Sequence, residues 1–131
     1  ELVTVTPGQP FEVAGLPILP VEIMHGKLPI LGFRMGAFAY LTDCSGIPAE
    51  TEALLQGLDT LIISALRHTP HETHFTVAQS LEAAKRLGVR QAFFTHIADE
   101  LDHEATNRDL PPWARLAYDG QLIEVAAWRS T

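Results

Sequence analysis

Short runs of apolar residues, separated by Gly, Pro and Asp turns, divide the first part of the chain into strands. Period-two alternation or extended character predicts strands over residues 2–5, 11–13, 16–24, 33–35 and 38–42. Two prolines in the third segment favour a position at an edge or a bulge of the sheet. The first third of the chain is therefore predicted to be mostly antiparallel strands.

From residue 38 onward, predicted strands alternate with helices. A short helix over residues 49–56 precedes an almost wholly apolar strand over 58–66. Thr76 and Gln79 have the spacing of a capping box, so a helix is predicted to begin there, and a strand over 91–95 follows it. This order predicts a largely parallel layer with helices on a face.

The last part of the chain predicts one more helix and a hairpin. Asp99 is the predicted N-cap of a polar helix that continues to about Arg108. Asp119-Gly120 suits a type I′ turn, so the residues on either side of it are predicted to pair as antiparallel strands.

Carboxylate and imidazole side chains stand at the ends of several predicted strands. Asp43, a loop of three histidines that ends at His74, and His96 each follow a strand of the predicted parallel layer, and His25 follows an earlier strand. Because the carboxyl ends of parallel strands meet at one edge of a sheet, we expect Asp43, the histidine loop and His96 to converge. Residues of these types bind metal ions or transfer protons.

Each candidate taken alone has a simpler structural interpretation. A single histidine is more often a hydrogen-bonded structural residue than a ligand, Asp43 before Ser45 and Gly46 suits an Asx turn, and Cys44 suits a small buried apolar residue. Taken together, a carboxylate between imidazoles is typical of a two-metal hydrolytic centre. His25 with Asp43, and His96 with Asp43, give only two ligands for each metal, so the chain holds half a site.

Composition and charge narrow the class of protein. With 131 residues, 47% apolar and 19% charged, residues 1–131 are expected to form a single globular domain. The net charge of −7 argues against nucleic acid or an anionic membrane as a partner. Cys44 is the only cysteine, which fits a reducing, cytoplasmic location, and no apolar stretch is long enough for a membrane span.

Several motifs occur in a characteristic order along the chain. They are Leu31-Gly32-Phe33-Arg34-Met35-Gly36-Ala37-Phe38-Ala39-Tyr40-Leu41-Thr42-Asp43, Ile47-Pro48, Leu66-Arg67, His71-Glu72-Thr73-His74-Phe75, Phe94-Thr95-His96-Ile97 and Ala117-Tyr118-Asp119-Gly120. Together they resemble the C-terminal half of metallo-β-lactamase-fold hydrolases of the phosphonate-catabolism phosphodiesterase type.

The resemblance implies an α/β fold, the αββα sandwich, of which this chain is the C-terminal portion. It implies two divalent metal ions, Zn or Mn, with His25 on the first, Asp43 bridging both and His96 on the second. It also implies that His74 acts near the substrate phosphate, as general acid or phosphate contact. The implied substrate is a small phosphodiester, for example a cyclic ribose phosphate.

The chain departs from that family in two ways. These 131 residues contain no His-x-His-x-Asp-His motif, which in that family lies upstream of this region, so either the sequence begins downstream of the motif or the protein lacks it. Asp99 stands where a second histidine commonly follows the residue matched by His96. Two alternatives therefore stay open: a truncated, non-catalytic binding or assembly module, and a hydrolase of another ester, thioester or lactam. A half-sandwich exposes an apolar face, so we expect a homo-oligomer or a complementing N-terminal segment.

Overall fold

The computed structural model describes residues 1–125 and contains one seven-stranded sheet with three helices. The strands are β1 (Phe11–Val13), β2 (Leu16–His25), β3 (Leu28–Met35), β4 (Phe38–Leu41), β5 (Thr60–Ser64), β6 (Gln91–Thr95) and β7 (Ala114–Leu116). The helices are α1 (Ala49–Leu54), α2 (Val77–Arg86) and α3 (His103–Asp109). None of these helices is long and apolar enough to cross a membrane.

The order of strands in the sheet follows the order of the chain, from β1 to β7. Strands β1 to β4 form an antiparallel meander, whereas β4, β5, β6 and β7 are parallel to one another. Tyr40, Ile62 and Phe93 lie side by side across the three central parallel strands. The predicted parallel layer is thus confirmed. Strand β2 was predicted to lie at an edge or a bulge of the sheet, and β1 pairs with it only over Leu16–Ile18.

The core lies on one face of this sheet. Leu41, Ile63, Phe94 and Leu116, from four successive strands, are each at most 1% exposed. Helix α2 packs on β5 and β6, and its predicted capping box is confirmed, since Thr76 and Gln79 bond each other's backbone N–H groups. Because β4, β5 and β6 are parallel, their carboxyl ends lie at a common edge of the sheet.

The opposite face carries apolar side chains that are only partly buried. Phe33 and Met35 of β3 stand opposite Tyr40 and Phe38 of β4. This face contains an open apolar cavity with a volume of about 490 Å³, and the surface around it is here called the open apolar face. It is lined by Phe11, Val13, Ile18, Phe33, Met35, Phe38 and Tyr40. Tyr40 is 38% and Val13 53% exposed, so this surface is not covered within the described residues.

The predicted hairpin near the end of the chain is wrong. Gly120 does adopt a positive φ of 80° in a turn, but residues 121–125 form no strand. Strand β7 instead pairs in parallel with β6, where Ala114 and Leu116 become buried. A turn sequence fixes local geometry only, whereas burial of apolar side chains selects the strand's partner.

Two other predicted elements also differ. The cap of α3 is Asp102 and not Asp99, since Asp102 accepts a hydrogen bond from Ala105 N–H at 2.7 Å. The intervening Leu101 is buried at 6% exposure in the turn that precedes the helix. Residues 2–5 form no strand, and Leu2 and Val3 are largely exposed, because alternation gives no strand without a partner strand beside it.

Candidate metal centre

Asp43 follows β4 at the carboxyl edge of the parallel strands and has an unusual backbone conformation. Its φ is +64°, in the left-handed region that non-glycine residues seldom adopt. The following N–H, that of Cys44, donates a hydrogen bond to Ser64 Oγ at 3.1 Å on the neighbouring strand. His96, which follows β6, has a similar φ of +58°. Strained residues of this kind cluster at functional sites, where the surrounding structure holds them.

Three imidazoles converge on one oxygen of this carboxylate. The distances to Asp43 Oδ1 are 3.5 Å from His25 Nε2, 3.3 Å from His74 Nδ1 and 3.3 Å from His96 Nε2. The fold therefore brings together all four residues singled out in the sequence. The convergence results from the topology, since His25 is the last residue of β2, Asp43 and His96 follow β4 and β6, and His74 lies in the loop after β5.

His74 lies at the centre of the imidazole cluster. Its ring centroid is 5.1 Å from that of His25, 4.6 Å from that of His96 and 4.9 Å from that of His71. Burial, followed by the charge of His96, lowers the pKa of His74 below its ordinary value, although Asp43 acts in the opposite direction. The neutral imidazole is thus favoured, which is the form that binds a metal ion.

The donor set fits a divalent cation. His74 Nδ1 is buried and has no hydrogen-bond partner among the described residues, and an unsatisfied buried nitrogen is costly. One ligand atom from each of His25, Asp43 and His74 lies within 4.8 Å of the others. Three such donors are the number that a catalytic zinc site usually takes from the protein. Geometry therefore allows His74 to be a ligand as well as a proton donor.

The histidine loop is fixed at both ends to the strand edge. Leu66 N–H donates to Phe75 O at 2.9 Å, and Phe75 N–H donates to Cys44 O at 2.9 Å. Arg67 bonds the carbonyls of Thr69 and Pro70 within the loop. These contacts place His74 beside Asp43 without any helix or strand to carry it.

The remaining candidates lie outside the cluster around Asp43. His103 bonds the Ala117 carbonyl and Asn107, which supports a structural role. Burial raises the pKa of the Cys44 thiol to about 11, so Cys44 is not a nucleophile at neutral pH. Sequence reasoning gave no functional role to Ser45 or Ser64, whose hydroxyls bond backbone groups around the site. The only available signal was that Ser45 lies two residues after Asp43.

Comparison with known proteins identifies the family. The family described as "Beta-lactamase superfamily domain" matches residues 1–97. The chain belongs to this superfamily. A crystal structure of "a New Diphosphatase from the PhnP Family" superposes with a TM-score of 0.90 at 42% sequence identity, over 95% of this chain and 49% of that chain. The metallo-β-lactamase-type fold and the hydrolase family implied by the sequence motifs are confirmed.

Two further relatives differ in name and in extent. Zn²⁺-bound PqqB from Methylobacterium extorquens shares the fold (TM-score 0.68, 16% identity, 94% of this chain and 52% of that one), so divalent metal is bound within this fold. An "Octanoyltransferase" of Porphyromonas gingivalis (strain ATCC BAA-308 / W83) is 36% identical over 122 residues, 92% of this chain. The match covers 25% of that protein, and the chain spans about half the length of the solved structures.

Proposed function

We propose that this chain is part of a metal-dependent hydrolase that cleaves a small phosphodiester, including cyclic ones. The observation that carries the proposal is the approach of three imidazole nitrogens to within 3.5 Å of one oxygen of Asp43. The 42% identity to a protein named a diphosphatase supports a phosphate substrate. The negative net charge supports a small molecule over nucleic acid or a membrane surface.

His25, Asp43 and His96 are the residues we propose to hold two divalent ions, Zn or Mn, with Asp43 between them. When bound, such ions supply an activated water as nucleophile and stabilise the charge that develops on the phosphate. Asp43 would suit the role of a shared ligand because its Oδ1 lies 3.5 Å from His25 Nε2 and 3.3 Å from His96 Nε2. Two donors for each ion leave coordination positions to be filled from outside this chain.

His74 is the proposed proton donor to the leaving oxygen. It would donate from its protonated form, which the neighbouring Asp43 carboxylate favours and burial opposes. Its side chain is 12% exposed and lies between the rings of His71 and His96, which limits the directions in which its ring can turn. A positioned imidazole of this kind contributes about 10²- to 10⁴-fold to a proton-transfer step. The same residue is also placed to bind an ion, so the test of its role must measure metal content and turnover separately.

Acyl transfer through a cysteine is disfavoured for this chain. Cys44 is its only cysteine, and burial keeps the thiol protonated. Three quarters of the octanoyltransferase lies outside the match, so that name need not describe the matched part.

Since Cys44 is buried and has no cysteine partner, we also propose a cytoplasmic location.

The open apolar face supports a partner for this sheet. Seven apolar residues line it, and two of them, Phe33 and Tyr40, form a cross-strand pair. An exposed surface of this kind marks a protein interface. We propose that a complementing N-terminal segment covers this face and brings the missing metal ligands; a second copy of the chain is the competing occupant.

The test compares the 131-residue chain with a longer form that includes any residues that precede it in its gene. Hydrolysis of bis(p-nitrophenyl) phosphate and metal content are measured before and after treatment with EDTA, and after addition of Mn²⁺ or Zn²⁺. We expect about two metal ions and chelator-sensitive hydrolysis in the longer form. A chromogenic β-lactam and p-nitrophenyl octanoate are the control substrates; preference for either would replace the phosphodiester assignment.

The same comparison tests the non-catalytic alternative. If neither form binds metal or hydrolyses any of the substrates, the proposed hydrolase is wrong. Sedimentation of both forms then distinguishes a dimer that covers the open apolar face from a monomer.

A further inference from the structure

Ser45 bonds to the chain on both sides of His25. Its N–H donates to Met24 O at 2.7 Å and its hydroxyl donates to the same oxygen at 3.2 Å. On the other side, Gly26 N–H donates to Ser45 Oγ at 2.8 Å. Ser45 lies two residues after Asp43, so these bonds join the loop that carries the carboxylate to the turn that follows the imidazole.

These bonds determine the direction of the His25 side chain. The Met24 carbonyl belongs to the peptide group before His25, and the Gly26 N–H belongs to the peptide group after it. Because the two flanking peptide groups set the direction of the Cα–Cβ bond, holding both fixes the direction in which the His25 side chain leaves the backbone. From this position His25 Nε2 lies 3.5 Å from Asp43 Oδ1.

The hydroxyl and the backbone of Ser45 have separable roles. Backbone bonds from Ser45 N–H to Met24 O and from Met24 N–H to Gly46 O already attach the loop to β2. The hydroxyl alone reaches the Gly26 N–H, in a turn where Gly26 has a φ of +61°. Removal of the hydroxyl therefore releases one side of His25 while the loop stays attached to the strand.

We propose that Ser45 is a positioning residue that aligns His25 with Asp43 for binding a divalent cation. The inference rests on the proposed function, because it assigns a task to the two residues as ligands. Groups that orient metal ligands without touching the metal typically contribute 10- to 100-fold to metal affinity. The side chains of a binding site must be held within about 0.5 Å of their productive positions. A turn without the bond from Gly26 N–H to Ser45 would not hold His25 so closely.

The experiment is a Co²⁺ titration of the longer form used in the test of the proposed function, followed by visible absorption, with the variants Ser45→Ala, Ser45→Thr and Thr51→Val. Ser45→Ala is expected to weaken Co²⁺ binding about 10- to 100-fold and to change the ligand-field spectrum. Ser45→Thr keeps the hydroxyl and is expected to bind within about threefold of wild type, which makes it the rescue variant. Far-ultraviolet circular dichroism checks that each variant is folded.

Thr51→Val is the matched control. Thr51 Oγ1 donates to Glu22 O at 2.6 Å, so this variant also removes a hydroxyl bond to the backbone of β2, but not one beside His25. Equal losses of Co²⁺ affinity in Ser45→Ala and Thr51→Val would show a general structural effect. That outcome would overturn the positioning role of Ser45 but not the proposed metal centre. A folded Ser45→Thr that fails to restore binding would also overturn it. Absence of Co²⁺ binding by wild type would overturn both this role and the proposed centre.

Discussion

His74 Nδ1 lies 3.3 Å from Asp43 Oδ1, yet within residues 1–125 it forms no hydrogen bond. The distance is short enough for attraction, but the geometry is not that of an N–H donor pointing at an acceptor. His25 and His96 approach the same oxygen from other strands. A carboxylate surrounded in this way is satisfied best by a cation between it and the rings.

Removal of the Asp43 carboxylate is expected to abolish metal binding and activity together. Asp43→Asn keeps the size of the side chain but loses the charge that would bridge two ions. Elemental analysis of the purified, longer form should find less than about a tenth of the wild-type metal, with hydrolysis of bis(p-nitrophenyl) phosphate reduced at least about 10³-fold. A variant that retained its full metal content would show that Asp43 does not bridge.

Substitution of His74 distinguishes a proton donor from a ligand. His74→Ala is expected to lower turnover about 10²- to 10⁴-fold while metal content stays at the wild-type level. Loss of one metal equivalent would instead identify His74 as a ligand. His103→Ala is the control, because His103 contacts Ala117 and Asn107 and its removal should leave turnover unchanged.

The metal-free chain is expected to lose stability as the pH falls below about 6.5, the ordinary pKa of histidine. Burial lowers the pKa of folded His74, so below that pH the unfolded chain binds a proton that the folded chain resists, and the equilibrium shifts toward unfolding. Urea unfolding in EDTA at pH 7.5 and pH 5.5 measures the effect. His74→Asn should show a smaller loss than wild type over the same interval, and an equal loss would contradict this assignment.

Gly32→Ala is expected to destabilise the sheet beneath the site. A Cβ at this position would lie 2.5 Å from Leu41 Cδ2 and 3.3 Å from Tyr40 O, inside the buried face. Overpacking of this kind typically costs about 1–3 kcal/mol of unfolding free energy. Gly46→Ala is the matched control, since its Cβ would meet Met24 Cβ at 3.5 Å and Met24 Cγ at 3.8 Å, both ordinary contact distances. Thermal and urea unfolding of both variants checks the difference.

The local elements were largely predictable from the sequence. Strand β6 and the start of α2 occur where alternation, apolar content and the capping box of Thr76 predicted them. The parallel order of β4, β5 and β6 also followed from alternating strands and helices. Each of these features depends on contacts between residues close in sequence, or on a general rule of chain connection.

Long-range pairing was not predictable in the same way. Strand β7 joins β6, and not a hairpin partner, because burying Ala114 and Leu116 against the sheet outweighs the local preference of Asp119-Gly120 for a turn between strands. The N-cap of α3 is Asp102 and not the predicted Asp99, and Leu101, which lies between them, is buried. Both outcomes depend on apolar area that exists only after the sheet has formed.

The sequence by itself determined which residue types stand at the strand ends, and therefore that Asp43, His25, His74 and His96 were the candidates. The tertiary structure alone decided that three imidazoles meet one carboxylate oxygen, and that Ser45 holds both sides of His25. The physical reason is that distances between residues far apart in sequence are set by strand register and core packing, which no local pattern encodes.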